Sequence, residues 1–339
     1  MELFWDFFGQ YNITETVFQF MLVNAILGLS IYLTLYTGMF SLAQAGFMAI
    51  GAYVGVLTTQ ALPGALVALG VTGAEIEISL WVGVVAGALA AGLIAIPVGL
   101  PALRLRDIYL AIATIGFGEI IAELIKNFDN IVRFFIVTFT DVERSRFTLI
   151  EGARGIKGIP KLTETWHLLL FIAVMGYFFV RLHRSRLGRA MAAIRQDEQA
   201  ASNMGIDVVF VKNLVFVLSA MMAGAAGAFS GHLTRIITPG AYGFGQAVDI
   251  LAYAVLGGTG AWFGPIIGGM IMGALPELLR VANEYRGFMV GLVLWAVIVF
   301  LPGGVIGIPG MIRNGIGRLR RENALAQTTL PEGEQATGD

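Results

Sequence analysis

Charged side chains are scarce in the long apolar stretches of this chain, so those that occur there are the first places to look for chemistry. An ionised group at the centre of a membrane-spanning helix costs about 2.5 kcal/mol or more. Glu119 closes the run Thr114-Ile115-Gly116-Phe117-Gly118-Glu119. Two glycines there would let a helix open and offer backbone groups to a zwitterionic solute. Ser41 and Gln44 add side chains that both donate and accept hydrogen bonds. Ser41, Gln44, Thr114, Gly116, Gly118 and Glu119 are therefore candidates for the border of a solute path. The alternative places Glu119 near the outer interface, paired with Lys126 or an arginine, and the sequence leaves both open.

Catalytic chemistry finds no residues to carry it. Cysteine is absent, which removes disulfides, thiolate metal sites and cysteine nucleophiles. His167, His183 and His232 are scattered, each at the edge of an apolar run, where an interfacial role fits better than a metal-ligand set. Gly258-Thr259-Gly260 leading to Gly264 has the wrong spacing for a dinucleotide fingerprint and reads as a turn between half-helices. No Walker A run occurs, so any ATP hydrolysis must come from another polypeptide. The expectation is a chain with no catalytic residue, no metal and no cofactor of its own.

The segment 184–211, RSRLGRAMAAIRQDEQAASNMGIDVVFV, has a different character. Ala190, Ala193 and Ile194, then Ala200, Ala201 and Met204, recur at helical spacing. Arg189, Arg195, Gln196 and Asp197 fill the other faces, and Gly205 is placed to end a helix. This predicts a short amphipathic helix or helix pair. Such a pattern suits a helix lying on lipid headgroups and equally one that docks into the groove of a soluble partner.

The elements that must position these residues follow from composition. Of 339 residues, 57% are hydrophobic and 13% charged, with a mean hydropathy of +0.77, whereas soluble domains carry about 25% charged residues. The apolar residues are grouped in stretches of about 20, the length needed to cross a hydrocarbon core of about 30 Å, without the strict alternation of a barrel. The predicted spans are 17–36, 40–60, 79–101, 108–126, 166–182, 211–230, a broken pair at 247–257 and 264–275, and 286–307. The fold class is all-α: a polytopic integral membrane protein of about 8 to 10 transmembrane helices, broken or half helices included. The acidic start with Glu2, Asp6 and Glu15 reads as leading into a retained helix rather than a removed signal peptide.

Orientation follows the basic residues at the span ends. Arg104 and Arg106, then Arg181, Arg184, Arg186, Arg189 and Arg195, then Arg313, Arg318, Arg320 and Arg321 mark three places that belong on the cytoplasmic side. They fall on one side if the chain starts outside and the broken pair crosses twice or forms a hairpin. The layout is a transmembrane domain over 1–310, with a cytoplasmic loop at 183–210 and an extracytoplasmic loop of mixed charge at 127–165. A cytoplasmic tail at 311–339 follows, basic at first and then too polar to fold. Glycine is frequent, 44 residues, and falls at small-residue spacing in Gly51/Gly55, Gly83/Gly87, Gly264/Gly268, Gly269/Gly273 and Gly287/Gly291, a pattern that serves close helix packing. The net charge of −1 gives no field for nucleic acid.

The run Gly188-Arg189-Ala190, Ile194-Arg195-Gln196-Asp197-Glu198, Ala200-Ala201 and Gly205-Ile206 closely resembles the EAA-type coupling loop of ABC-importer permeases, in the form used by the branched-chain amino-acid (Liv-type, M-like) family. Other stretches resemble the same family in the same order. They are Ser41 to Phe47 with Gly51-Ala52-Tyr53, Leu103-Arg104-Leu105-Arg106 with Tyr109 and Thr114 to Glu119, and Gly155 to Pro160. Val255 to Gly258 with Gly264-Pro265, Pro276-Glu277 and Pro302-Gly303-Gly304 complete the set. The likeness covers about residues 25–310. Gln44 stands where relatives often carry histidine, and the loop between Lys126 and Gly155 is longer than the family's.

The resemblance implies a permease subunit for branched-chain amino acids or a related small polar solute, in a prokaryotic plasma (inner) membrane with its C-terminus cytoplasmic. It implies two ABC ATPase subunits that use the ATP, a second related permease, an extracytoplasmic solute-binding protein and surrounding membrane lipid as partners. It also implies the ATPase-coupling role for Gly188, Arg189, Ile194, Arg195, Asp197, Glu198, Ala200, Ala201 and Gly205. A secondary transporter or channel is the alternative class. It would need no compact basic loop for an ATPase, and would carry coupling carboxylates in mid-span.

Overall fold

The computed structural model describes residues 15–68, 75–105, 107–130, 152–279, 285–301 and 303–307. Most of the predicted outer loop and all of the 311–339 tail lie outside them. Among the described residues the chain is almost entirely helical. In order these helices are α1 (Glu15–Tyr36), α2 (Gln44–Ala68), α3 (Glu75–Ala102), α4 (Asp107–Lys126), α5 (Thr165–Arg184), α6 (Arg186–Gln196), α7 (Glu198–Asn203), α8 (Val208–Thr234), α9 (Phe244–Gly257), α10 (Gly264–Leu278) and α11 (Arg286–Phe300). Two two-residue strands, β1 (Ile156–Lys157) and β2 (Ile236–Ile237), pair antiparallel.

Six helices among the described residues, α1 to α5 and α8, are long and apolar enough to cross a membrane. Their outward surface is apolar as well: Leu89 and Leu93 on α3, Ile112 and Ile120 on α4, and Val174 and Tyr177 on α5 are all exposed. Large exposed aliphatic surface is stable only against hydrocarbon. The chain is an all-α polytopic membrane protein.

The broken pair departs from full crossings. α9 has 14 residues and α10 has 15, which at 1.5 Å each reach only about 21 to 23 Å. α10 runs antiparallel to α1, since added methyl groups at Gly28, Gly269 and Gly273 would strike Pro265, Asn24 and Met21 respectively. The end of α10 thus returns to the starting end of α1. The start of α9 lies at the same end, so the two form a hairpin. Their connecting turn rests on the Gly303-Gly304 backbone after α11 and puts Trp262 over Phe179 of α5, ring planes 8° apart.

The centre is built from α2, α3 and α8, which pack on one another most extensively. Small residues permit this: a Cβ at Gly51 would overlap the backbone of Gly224, one at Gly87 the Gly51 carbonyl, and one at Gly227 the Met48 carbonyl. Lipid gives no hydrophobic drive between helices, so such dispersion contacts are what holds them. Of the predicted glycine pairs, Gly51/Gly55, Gly83/Gly87, Gly264/Gly268 and Gly269/Gly273 all sit at close approaches, whereas Gly291 faces open space. Ser30, Thr34 and Thr37 donate to carbonyls of α1, so their burial leaves no hydroxyl proton unpaired.

Candidate functional site

The segment 184–211 folds as a pair of helices set at the end of the bundle between α5 and α8. Ser185 begins α6 by accepting from the Gly188 N–H at 3.1 Å. Asp197 ends α6 and begins α7, its carboxylate accepting from the Ala200 N–H at 2.9 Å. Asp207 begins α8 in the same way, accepting from the Phe210 N–H. Gly205 has φ 82° and ends α7 with two bonds of the Schellman type, Gly205 N–H to the Ser202 carbonyl and Ile206 N–H to the Ala201 carbonyl. An L-residue in that conformation is strained.

The nine predicted coupling residues therefore divide by task. Gly188, Ile194 and Ala201 are buried, and Ile194 and Ala201 lie with Met191 in a cluster with Tyr32, Leu33 and Met39 at the end of α1. Arg189, Arg195, Asp197, Ala200 and Gly205 are exposed. Glu198 is half-buried and pairs with Lys212 of α8, Oε1 to Nζ 2.8 Å, a partner the sequence reading did not single out. Next to them Met204 is 85% exposed, an apolar side chain with almost no contact inside the chain. A second link missed from sequence joins α1 to α5, where the Tyr32 hydroxyl lies 3.0 Å from His183 Nε2.

The candidate path residues fall into two groups. The first is a buried knot. The Thr114 hydroxyl accepts from the Leu42 N–H at 2.9 Å and donates back into α4, fixing the turn before α2 to that helix. The Ser41 hydroxyl accepts from the Ala43 N–H. Gln44 is 1% exposed; its amide donates to Ser219 at 3.1 Å and lies 3.4 Å from Thr34, while its side-chain carbonyl has no partner among the described residues. Gly118 lies against Gly46, and Gly116 is open.

Glu119 stands apart from that knot. Its Oε1 accepts from the Phe244 N–H at 2.7 Å, across 125 positions of sequence. Phe244 is the first residue of α9, whose preceding Gly243 offers no side-chain cap. The carboxylate supplies it, against the positive end of the helix. Pairing with Lys126 does not occur, because Lys126 bonds Glu123 instead. Glu119→Ala should lower stability by about 1 to 2 kcal/mol, read as an earlier thermal midpoint in detergent, whereas Glu119→Gln, which keeps an acceptor oxygen, should lose less than half of that. Equal midpoints for all three proteins would show that the cap contributes nothing.

The three histidines do not share one environment. His183 is half-buried at the end of α5, but His167 and His232 are sealed within the packing at 2% and 0% exposure. The interfacial role expected for all three fails for these two. His232 Nδ1 lies 3.3 Å from the Pro160 carbonyl, and Trp81 and Trp166 cover His167. Among the described residues, no group of three or more metal-ligating side chains is close enough to hold an ion.

The family model for the permease component of branched-chain amino acid transport systems matches residues 12–299. The high-affinity branched-chain amino acid transport system permease protein LivM of Escherichia coli (strain K12) is 32% identical over 301 residues, covering 84% of this chain and 66% of that protein. LivM of Salmonella typhimurium is 31% identical with the same coverage. LivH of Salmonella typhimurium is 34% identical over 145 residues, 42% of this chain and 46% of LivH. The chain thus spans 66% of the length of the LivM relatives it matches. No solved structure matches it. A family match over most of the chain, on the bundle and helix pair described above, leaves one assignment: the chain belongs to the family of branched-chain amino acid transport system permease components.

Proposed function

We propose that this chain is the permease subunit of an ATP-driven importer for branched-chain amino acids or a related small polar solute. The observation that carries this reading is the α6–α7 pair. It is a compact basic unit, capped at each junction, with an exposed rim of Met204, Ala200 and Arg189 and a buried side tied to α1 and α8. A unit rooted in the bundle but unfinished on its outer face is built to be pushed.

In this reading two ABC ATPase subunits bind and hydrolyse the ATP, and closure of their dimer displaces α6–α7. Met191 and Ile194 pass the displacement to α1 through Tyr32 and Leu33, and the Glu198–Lys212 pair passes it to α8. Because α8 meets α2 at backbone contact, the three move as a body. This chain holds no cofactor and catalyses nothing; it biases a two-state path. The path runs along α4 and the start of α2, where Ser41, Gln44, Thr114, Gly116, Gly118 and Glu119 lie. The unpartnered Gln44 carbonyl is the acceptor offered to a passing donor. A second permease completes the path, and an extracytoplasmic binding protein delivers the solute. The membrane is a prokaryotic plasma membrane, with α6–α7 and the C-terminus cytoplasmic.

The test is co-purification of the tagged chain with co-expressed ABC ATPase subunits, for the native protein and for Met204→Asp. Seating a methionine side chain in a groove is worth about 1.5 to 3 kcal/mol. The substitution should therefore weaken association by about tenfold or more while the chain elutes unchanged. Undiminished association would move the docking surface elsewhere.

A further inference from the structure

The lipid-facing side of α5 changes character along its length. Trp166, Leu170, Val174, Tyr177, Arg181 and Arg184 follow one another at spacings of three and four, so they share one face, and all are exposed. The helix has 20 residues, about 30 Å at 1.5 Å each, which is one hydrocarbon thickness. With its aliphatic middle against hydrocarbon, Trp166 meets one boundary, and Arg181 and Arg184 meet the other at headgroup depth. α6 follows directly from that second end, because Ser185 both ends α5 and begins α6.

Three guanidinium groups gather there. Arg181 lies 5.9 Å from the centre of the Tyr177 ring, a contact that holds the group at the boundary without using its hydrogen-bond donors. Arg189 of α6 donates to the Arg184 carbonyl at 3.2 Å, which brings its guanidinium back over the end of α5. The ion pairs among the described residues are Glu123–Lys126 and Glu198–Lys212, so no described carboxylate balances Arg181, Arg184 or Arg189. The positive end of α6 adds to the same field. An aliphatic stripe that runs into these cations fits a partner that is apolar along its body and anionic at its head. A soluble anion would leave Leu170 and Val174 uncovered, whereas the acyl chain of a phospholipid covers them.

We propose that this face of α5 is a binding site for an anionic phospholipid, its phosphate held by Arg181, Arg184 and Arg189 and an acyl chain lying along Tyr177, Val174 and Leu170. Zwitterionic headgroups carry their own cation beside the phosphate, so the surplus of positive charge selects a lipid of net negative charge. The site rests on the membrane fold alone and stands whether or not transport is driven by ATP.

The probe is phosphatidylglycerol. The full-length chain is held in detergent micelles with equal amounts of phosphatidylglycerol and phosphatidylcholine of the same acyl chains, and native mass spectrometry counts the lipids it retains. Preferential retention of phosphatidylglycerol is expected. Each arginine at a membrane surface contributes about a fivefold preference, so Arg181→Gln/Arg184→Gln, which leaves α6–α7 untouched, should lower it at least about tenfold. Arg154→Gln/Lys161→Gln removes two exposed cations from the other end of the bundle and should leave it unchanged. Inorganic phosphate at the concentration of the lipid should not displace it. If the double arginine variant does not elute as native protein, Arg184→Gln alone makes the same comparison, with about a fivefold loss expected. Equal retention of the two lipids, as when a protein segment covers the arginines, would overturn the proposal. So would an unchanged preference in the arginine variant, an equal loss in the control, or displacement by phosphate alone.

Discussion

Gly51→Leu abolishes the assembled protein, whereas Gly291→Leu is tolerated. The two glycines occupy the same sequence pattern, with a second glycine four residues away in an apolar run. At Gly51 the first added carbon already overlaps the backbone of Gly224, and neither partner is a side chain that can turn aside. Forcing α2 from α8 breaks the most extensive helix contact among the described residues. Overpacking costs about 1 to 3 kcal/mol where side chains can adjust, and more is expected where only backbone can move, against a total stability of about 5 to 15 kcal/mol. At Gly291 the added carbon meets nothing within 4 Å. Size-exclusion chromatography of the two variants after identical expression reads the difference. A monodisperse Gly51→Leu protein would mean that the α2–α8 contact is not what holds the bundle.

Glu198→Lys uncouples α7 from α8. Lys212 is 12% exposed and Glu198 37% exposed at the side chain, so the pair is partly dehydrated. Placing two ammonium groups there should cost about 1 to 3 kcal/mol, less than a fully buried pair would. The stability loss is modest, but under the proposed function the transport loss is large, because there the pair is one of two links by which α6–α7 would move the bundle. Uptake in reconstituted vesicles should fall at least about tenfold. The exchanged pair Glu198→Lys/Lys212→Glu should recover most of it, since geometry and opposite charge are both restored. Failure of the exchange to restore uptake, with the single variant inactive, would show that Glu198 acts on a partner protein rather than through Lys212.

The contrast between Gly51 and Gly291 also shows how far sequence reaches. The other span positions, the hairpin turn at Gly258 and the end of α7 at Gly205 were legible, because hydropathy, glycine clusters and capping residues act within a few positions; the predicted span 286–307 is instead a 15-residue helix that stops at Phe300. The 184–211 pattern predicted a helix or a helix pair, and Asp197 made it a pair by capping a second helix. The far partners were not legible. Nothing near Glu119 announces that it caps a helix starting 125 residues later, and nothing near Glu198 names Lys212. Spacing gave the two glycines equal standing; only the position of α8 separates them. His167 and His232 were misplaced for a related reason. Both lie near helix ends, but the Pro160 carbonyl and the Trp81 ring are brought over those ends by the fold.

The central claim, that this chain is moved by ATPase partners acting on α6–α7, is tested most directly by uptake of a labelled branched-chain amino acid into vesicles. The vesicles contain this chain, its second permease and the ATPases, with the binding protein added outside. Uptake should require ATP inside, stop with vanadate, and vanish when the ATPases are omitted. Uptake that continues without ATPases, or runs undiminished in vanadate, would contradict the account and make the chain a secondary transporter or channel.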